Sequence, residues 1–246
     1  AMRGSYNEAL FDPRKVIRVE NQAQQGACQG HAISTCCEWA YIVQTGDTDL
    51  QLSRAMGYYE TQRIDGIRGD SGSTISGGVK LASTTGICEE SLWPYPSRYS
   101  NSRPRDWDAV KTNAAKYRIG NSLRLTTYDG IRTFLGSGQG GITIGISWGN
   151  EMSRAVVESF SGAGGGGHAI SLLSLSDRKS NDGRPYVWMC NSWGKAFGNG
   201  GWSEWSPRAI DQMCNHRHTT AIGVSDMPAV KPRPLSLDAL KMKLRV

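Results

Sequence analysis

Gln22-Ala23-Gln24-Gln25-Gly26-Ala27-Cys28-Gln29-Gly30-His31-Ala32-Ile33-Ser34 is the stretch from which the rest of the chain is best read. It sets one cysteine behind a glutamine-rich segment and ahead of a run of small and apolar residues. From Cys28 to Thr45 these recur at helical spacing, through Cys28, Ala32, Cys36 and Ala40, with Ile33, Cys37 and Tyr41 on the adjoining face. Gly46 is a natural C-terminal stop. Cys28 therefore stands at the amino end of a largely buried helix, where unpaired backbone N–H groups and the helix dipole favour an anion. That placement lowers a thiol pKa, and the thiolate is the nucleophilic form of cysteine.

A nucleophilic thiol also needs a base that takes its proton and a third group that aims the base. Downstream, His168 opens the apolar stretch Ala169-Ile170-Ser171-Leu172-Leu173, and Asn191 lies in Asn191-Ser192-Trp193-Gly194. Each has a plainer reading: a lone histidine there can be a satisfied core group, and Asn191 a turn residue at a strand end. His31, His216 and His218 are the other histidines. His31 follows Cys28 by three positions on the same helix and cannot easily approach the thiol from across a cleft.

In order and spacing these residues resemble the papain-like cysteine peptidases, with Gln22 six residues before Cys28 and the histidine and asparagine far downstream. Asp12-Pro13-Arg14, Leu52-Ser53-Arg54 with Tyr58-Tyr59, Asp70-Ser71-Gly72-Ser73-Thr74-Ile75, Gly86-Ile87-Cys88-Glu89-Glu90, Trp93-Pro94-Tyr95, Gly167-His168-Ala169 and residues 186–202 are similar to blocks of that family, in order, over about residues 10–205. Cys28 is followed by Gln29-Gly30-His31, not by the Trp-Ala of plant and lysosomal members, so the match is better to divergent bacterial and phage-type ones.

The resemblance implies a two-lobed papain-like α+β fold. A helical lobe at about residues 20–115 and a β-rich lobe at about 116–224 would enclose the active-site cleft. It implies Cys28 as nucleophile, His168 as base and Asn191 as the group holding the ring, with Trp193 covering that pair from water. The Gln22 side chain and the Cys28 N–H would donate to the developing oxyanion, although counting from Gly26 leaves Gln24 and Gln25 as rivals for Gln22. Gly72 and Ser73 match the cleft segment that pairs with an extended substrate. Gly145, Gly167 and Ala169 match positions lining the pocket for the second residue before the scissile bond, and their small size implies a roomy one. Cys190 departs from the usual Lys, Arg or Ala and reads as an inward-facing strand residue.

The residue patterns agree with that architecture. Residues 52–64 and 75–84 read as helices, and 123–127, 142–148, 168–175 and 186–191 as short β-rich pieces. A helical first half and a strand-rich second half suit an α+β fold. Residues 97–108 carry no clear motif. The glycine run at 162–167 lacks the Gly-Lys-Ser or Gly-Lys-Thr of a phosphate loop and reads as a turn into the strand at His168.

Bulk properties narrow the function class. A chain of 246 residues with 38% hydrophobic content and eight Trp supports one large domain or two lobes. No apolar run approaches the ~18–20 residues of a membrane helix. Residues 1–5 carry no signal-peptide core, so with Met2 as the start a cytoplasmic protein is expected. Six cysteines without a Cys-x-x-Cys, two of them adjacent, are expected as reduced thiols, and zinc is not expected. The net charge of +6 is scattered, enriched at 98–105 and 231–245, and reads as solvated surface without the basic stripe that nucleic acid requires.

The expectation is therefore an endopeptidase acting on polypeptides, with no metal or organic cofactor and no nucleic-acid or membrane partner. A Cys-His acyl transferase or amidase, or a non-catalytic scaffold with a peptidase fold, is the alternative. The Pro-containing basic tail at 225–246 is expected to fold back near the cleft or to dock to a regulatory partner.

Overall fold

The helix that starts at Cys28 is the axle of the molecule. In the computed structural model, which describes residues 12–164 and 166–230, there are seven α-helices. They are α1 (Pro13–Val16), α2 (Cys28–Thr45), α3 (Arg54–Asp65), α4 (Ile75–Thr84), α5 (Trp107–Ala114), α6 (Tyr128–Gly136) and α7 (Pro207–Cys214). Seven strands, β1 (Asn121–Leu125), β2 (Gly140–Trp148), β3 (Val156–Val157), β4 (Gly166–Lys179), β5 (Pro185–Cys190), β6 (Trp202–Trp205) and β7 (Thr220–Ser225), complete an α+β fold.

Gly46 closes α2 in the left-handed conformation at φ 76°, which glycine adopts without a Cβ clash. α2 is buried on almost every side because α3 and α4 cover one flank and β2 and β4 the other. α2 and α3 cross at two glycines. A Cβ on Gly30 would lie 2.6 Å from the Tyr58 nitrogen, and one on Gly57 would lie 2.8 Å from the Gly30 carbonyl oxygen. Beyond the crossing, the Glu38 carboxylate on α2 accepts from both terminal nitrogens of Arg54 on α3 and, at 2.7 Å, from the Leu52 N–H. This pair is buried, so each charge depends on the other being present.

The strands form one sheet in the order β1-β7-β2-β4-β5-β6-β3, antiparallel except for the parallel β3–β6 pair. Its two faces serve two cores. Trp188, Cys190 and Leu173 join the helical core around Ile33, Trp39, Met56, Tyr58 and Leu81. Val187, Met189, Leu172, Ile142 and Ile144 face a second core with Ile131, Leu135 and Ile210 of α6 and α7. The alternation of neighbours between cores is the period-2 geometry of a strand buried on both faces.

Several boundaries differ from the sequence reading for local reasons. α3 begins at Arg54, not at residue 52, because Ser53 caps it, its Oγ accepting from the Met56 N–H at 2.9 Å. Residues 97–106 form a largely exposed loop, tied down where Arg103 pairs with Glu60 and lies over Trp107, 4.2 Å from the ring centre. α6 and α7, which the residue patterns did not announce, sit in the strand-rich half. The change in composition at residue 225 does not end the packing. β7 runs through Ser225 between β1 and β2, and buried Met227 exchanges backbone hydrogen bonds with the Gln44 side chain at 2.9 and 3.1 Å. The rest of the expected tail, 231–246, lies outside the described residues. Among the described residues no helix is long and apolar enough to cross a membrane.

Candidate active site

Cys28 is the first residue of α2. The residue before it, Ala27, has no side-chain acceptor, and the first turn contains no acid, so the positive end of the helix is uncompensated at the thiol. From the other side of the cleft comes His168, the third residue of β4, opposite Ile146 of β2. β4 pairs with β5 at Ser171 and Cys190, which brings the residue after β5, Asn191, alongside the start of β4.

His168 Nε2 lies 2.8 Å from Asn191 Oδ1, and the Ser192 N–H donates to the same oxygen at 2.8 Å. Because the Ser192 amide can only donate, the shared atom is the carbonyl oxygen, and His168 carries its proton on Nε2. Nδ1 is then left with a free lone pair. Trp193 lies against the ring at 4.7 Å between centroids, and Trp148 meets it edge-on at 4.9 Å, so the imidazole is boxed by two indoles. Asn191 Nδ2 is buried without a protein partner among the described residues, beside a cavity of about 10 Å³ that also borders His31 and Ser192. That volume suits one water molecule.

The three glutamines ahead of Cys28 part company in the fold. Gln24 is exposed. Gln25 is buried and committed, donating to the Pro96 carbonyl at 2.7 Å and accepting from the Tyr59 hydroxyl at 2.7 Å. Gln22 lines the cleft. Its Oε1 accepts from the Ser192 hydroxyl at 2.6 Å and its Nε2 donates to the Gln25 carbonyl at 2.8 Å, which leaves one amide hydrogen uncommitted. Ala23 beside it takes a positive φ of 52°, supported by its N–H donating to Asn21 Oδ1 at 2.9 Å.

Burial pushes the Cys28 thiol above its ordinary value, although the N–H groups of Ala169, Gln29 and Cys28 itself oppose the shift. Ala169 directly follows His168, so the sulfur is next to the strand that carries the ring. Burial likewise lowers His168 to about 4, with Asn191 working against the change. His31, fully buried, is lowered to about 3 by burial and then by the Arg54 charge, and its Nδ1 donates to the Ala27 carbonyl at 3.0 Å. It is a neutral core group with an edge-on contact to Tyr95 at 4.7 Å. Burial also raises Cys36 and Cys88 to about 12 and lifts Cys37 and Cys190 strongly, so these thiols stay protonated and inert.

A cleft of about 730 Å³ gathers Gln22, Cys28, Gly72, Ser73, Gly145, Gly167, His168, Ala169 and Trp193 into one lining, with Asn191 buried behind the histidine. The space freed by Gly145 is partly taken by Ile75, since a Cβ there would come within 2.9 Å of Ile75 Cγ1. Asp70, Ile75, His218 and Thr220 also face the cleft; the sequence reading gave Asp70 and Ile75 only as part of a block, His218 only as an alternative histidine, and Thr220 not at all. Ser192 and Trp148 escaped it as well. The block Asn-Ser-Trp-Gly pointed near Ser192, but its partner lies 170 residues away. Among the described residues no group of three or more His, Cys, Asp or Glu converges as metal ligands do.

Comparison with known proteins gives the same architecture. Peptidase 1 of Psoroptes ovis is 25% identical over 197 residues, 76% of this chain and 56% of that protein, so the chain spans little more than half the length of this relative. The crystal structure of xylellain, a cysteine protease from Xylella fastidiosa, superimposes with a TM-score of 0.71 at 22% identity, covering 88% of this chain and 84% of that one. Bromelain from Ananas comosus, solved in complex with the E64 inhibitor, gives a TM-score of 0.64 at 17% identity over 87% of this chain and 97% of that one. At these identities the structural likeness is one of fold. The family match extends over residues 8–224, nearly the whole chain, and with it the conclusion follows that this chain belongs to the papain family of cysteine proteases.

Proposed function

We propose that this protein is a cysteine endopeptidase in which Cys28 is the nucleophile, His168 the proton acceptor and donor, and Asn191 the group that positions the ring. The observation that carries this reading is the convergence in one cleft of a thiol at a helix start and an imidazole whose Nε2–H is occupied by Asn191. With Nε2 engaged, Nδ1 is the atom free to take the Cys28 proton. Burial disfavours a lone charge on either group, so the proton transfer creates thiolate and imidazolium together, each compensating the other.

The thiolate attacks the carbonyl carbon of a peptide bond. Its oxygen becomes an oxyanion held by the free Gln22 amide hydrogen and the Cys28 N–H, donors of a kind typically worth ~2.7–4 kcal/mol of barrier each. The C–N bond breaks as His168 passes its proton to the leaving amine, leaving a thioester on Cys28. Water, giving a proton to His168, attacks the thioester, and C–S cleavage returns the thiol. Side chains and water account for every step, so no cofactor is invoked.

Gly72 and Ser73 would pair with the substrate backbone. Gly145, Ala169 and Ile75 would receive the second side chain before the scissile bond, and Gly167 and Trp193 would border it. The peptidase domain expected over residues 1–224 would extend into the packed residues that follow Ser225, and Gln29-Gly30-His31 after Cys28, in place of Trp-Ala, supports kinship with bacterial or phage-type members. Turnover of a panel of fluorogenic peptides under reducing conditions, compared with Cys28→Ala, tests the reading. Cleavage lost in the variant is the expected result. No cleavage together with no labelling of Cys28 by a thiol-reactive peptide would overturn it.

A further inference from the structure

The roles assigned above leave Asp70 unused, although it is exposed on the cleft wall beside Gly26 and Gly72. We propose that its carboxylate selects a basic side chain, Arg or Lys, on the substrate residue whose carbonyl Cys28 attacks. This inference rests on the peptidase reading and names its substrate class.

Asp70 is held in one place. Its Oδ1 accepts from the Tyr58 hydroxyl at 2.7 Å and from the Gly26 N–H at 2.8 Å, two residues before Cys28. The Tyr58 hydroxyl is itself fixed, accepting from Gln62 Nε2 at 3.0 Å and from the Gly72 N–H at 3.2 Å. Only one carboxylate oxygen is used in this bracing. Among the described residues Oδ2 has no hydrogen bond, and no Lys or Arg side chain pairs with Asp70. It is the single carboxylate among the residues lining the cleft. The carboxylate is therefore preorganised, charged and unneutralised close to the nucleophile, which is what recognition of a guanidinium or ammonium group requires.

The geometry of an extended chain selects which substrate residue meets it. Successive side chains of a strand point to opposite faces. A substrate lying along Gly72 that sends one side chain between the lobes, toward Ile75, Gly145 and Ala169, turns its neighbour on the Cys28 side the other way, toward Gly26 and Asp70. Gly26 leaves that path open, since a Cβ there would come within 3.3 Å of Asp70 Oδ1. His218, the other histidine of the lining besides His168, lies two residues before Thr220, which pairs with Gly145 of β2, whereas the atoms nearest a Cβ on Gly26 belong to Gly72, Asp70 and Tyr58.

Two peptides identical except for Arg or uncharged, near-isosteric citrulline before the scissile bond provide the test, read on the wild type and on Asp70→Asn. Asparagine keeps an oxygen for Tyr58 and Gly26 while removing the charge. The wild type should favour Arg over citrulline in kcat/KM by about tenfold, as a charge-assisted pair in a cleft permits. In Asp70→Asn the ratio should fall toward one, with the larger loss on the Arg peptide. A ratio near one in the wild type, or one that survives in Asp70→Asn, overturns the assignment. Equal losses on both peptides would make Asp70 a brace for residues 22–27 and overturn it too. Where turnover is too slow to follow, the same ratio is read from the rates at which thiol-reactive Arg and citrulline peptides label Cys28. Absence of both cleavage and labelling sinks the peptidase reading and this inference with it, whereas robust turnover without the charge preference sinks this inference alone.

Discussion

The Ser192 hydroxyl donates to Gln22 Oε1 at 2.6 Å, joining the strand-rich half of the chain to the segment ahead of Cys28 across 170 positions. Backbone contacts reinforce the join, with the Gln22 N–H donating to the Ser192 carbonyl at 2.8 Å and Asn21 bridging to Trp193. By fixing the oxygen of the amide, Ser192 decides where the Gln22 N–H groups point. The same residue's backbone N–H holds Asn191, so one serine aligns both the Gln22 amide, the proposed oxyanion donor, and the His168 ring.

Replacing Ser192 with Ala should therefore lower kcat with little change in KM, because the loosened amide matters most when the oxyanion forms. A loss of about tenfold is expected, against the roughly 10²–10³ typical of removing an oxyanion donor outright in Gln22→Ala. Steady-state kinetics on one peptide substrate compares the two. An unchanged kcat in Ser192→Ala would rule out the orienting role.

Asn191→Ala should be milder than His168→Ala. Trp148 and Trp193 still box the ring when Asn191 is gone, whereas loss of the imidazole removes proton transfer altogether. Loss of a general acid–base group typically costs about 10²–10⁴ in rate, and a positioning group less. Single-turnover acylation rates for the two variants should rank in that order, with equal losses counting against the aromatic box.

Stability should fall as pH drops below 6.5, the ordinary value from which His31 is lowered to about 3. Between those limits the unfolded chain protonates His31 and the folded chain does not, so the unfolded state binds more protons and gains. The stability that His31 contributes is thus fully present above 6.5 and is lost progressively down to about 3, at a slope of up to about 1.4 kcal/mol per pH unit. His168, lowered to about 4, acts in the same direction. His31→Phe keeps a ring against Tyr95 and removes one titration. Urea midpoints at about pH 7 and about pH 5 should therefore differ less in the variant than in the wild type. Equal differences would show that His31 is not the group responsible.

Gly30→Ala should destabilise the protein. The added Cβ would lie 2.6 Å from the Tyr58 nitrogen and 2.7 Å from its Cβ, both on rigid parts of α3, so the helices must separate. Overpacking of this kind typically costs about 1–3 kcal/mol. Because Tyr58 also carries Asp70, the shift should be felt in the cleft. A urea unfolding curve indistinguishable from the wild type would contradict the close crossing.

How much of this was legible in the chain follows from the range of each signal. Small and apolar residues at helical spacing, closed by Gly46, marked α2 to its ends, because helix periodicity and a left-handed cap act over a few residues. Ile75–Thr84 and the hydrophobic strands were readable for the same reason. α6 and α7, of nine and eight residues, offered too few turns to stand out from their strand-rich surroundings. The residue types and order of Cys28, His168 and Asn191 were visible in the sequence. That His168 keeps its proton on Nε2, that Gln22 lines the cleft while Gln25 is committed to Tyr59 and Pro96, and that Asp70 is aimed by Tyr58 were decided only in the folded molecule. Each of these depends on hydrogen bonds between side chains far apart in sequence, and such bonds take their geometry from how α2 packs on the sheet, which no short stretch of chain encodes.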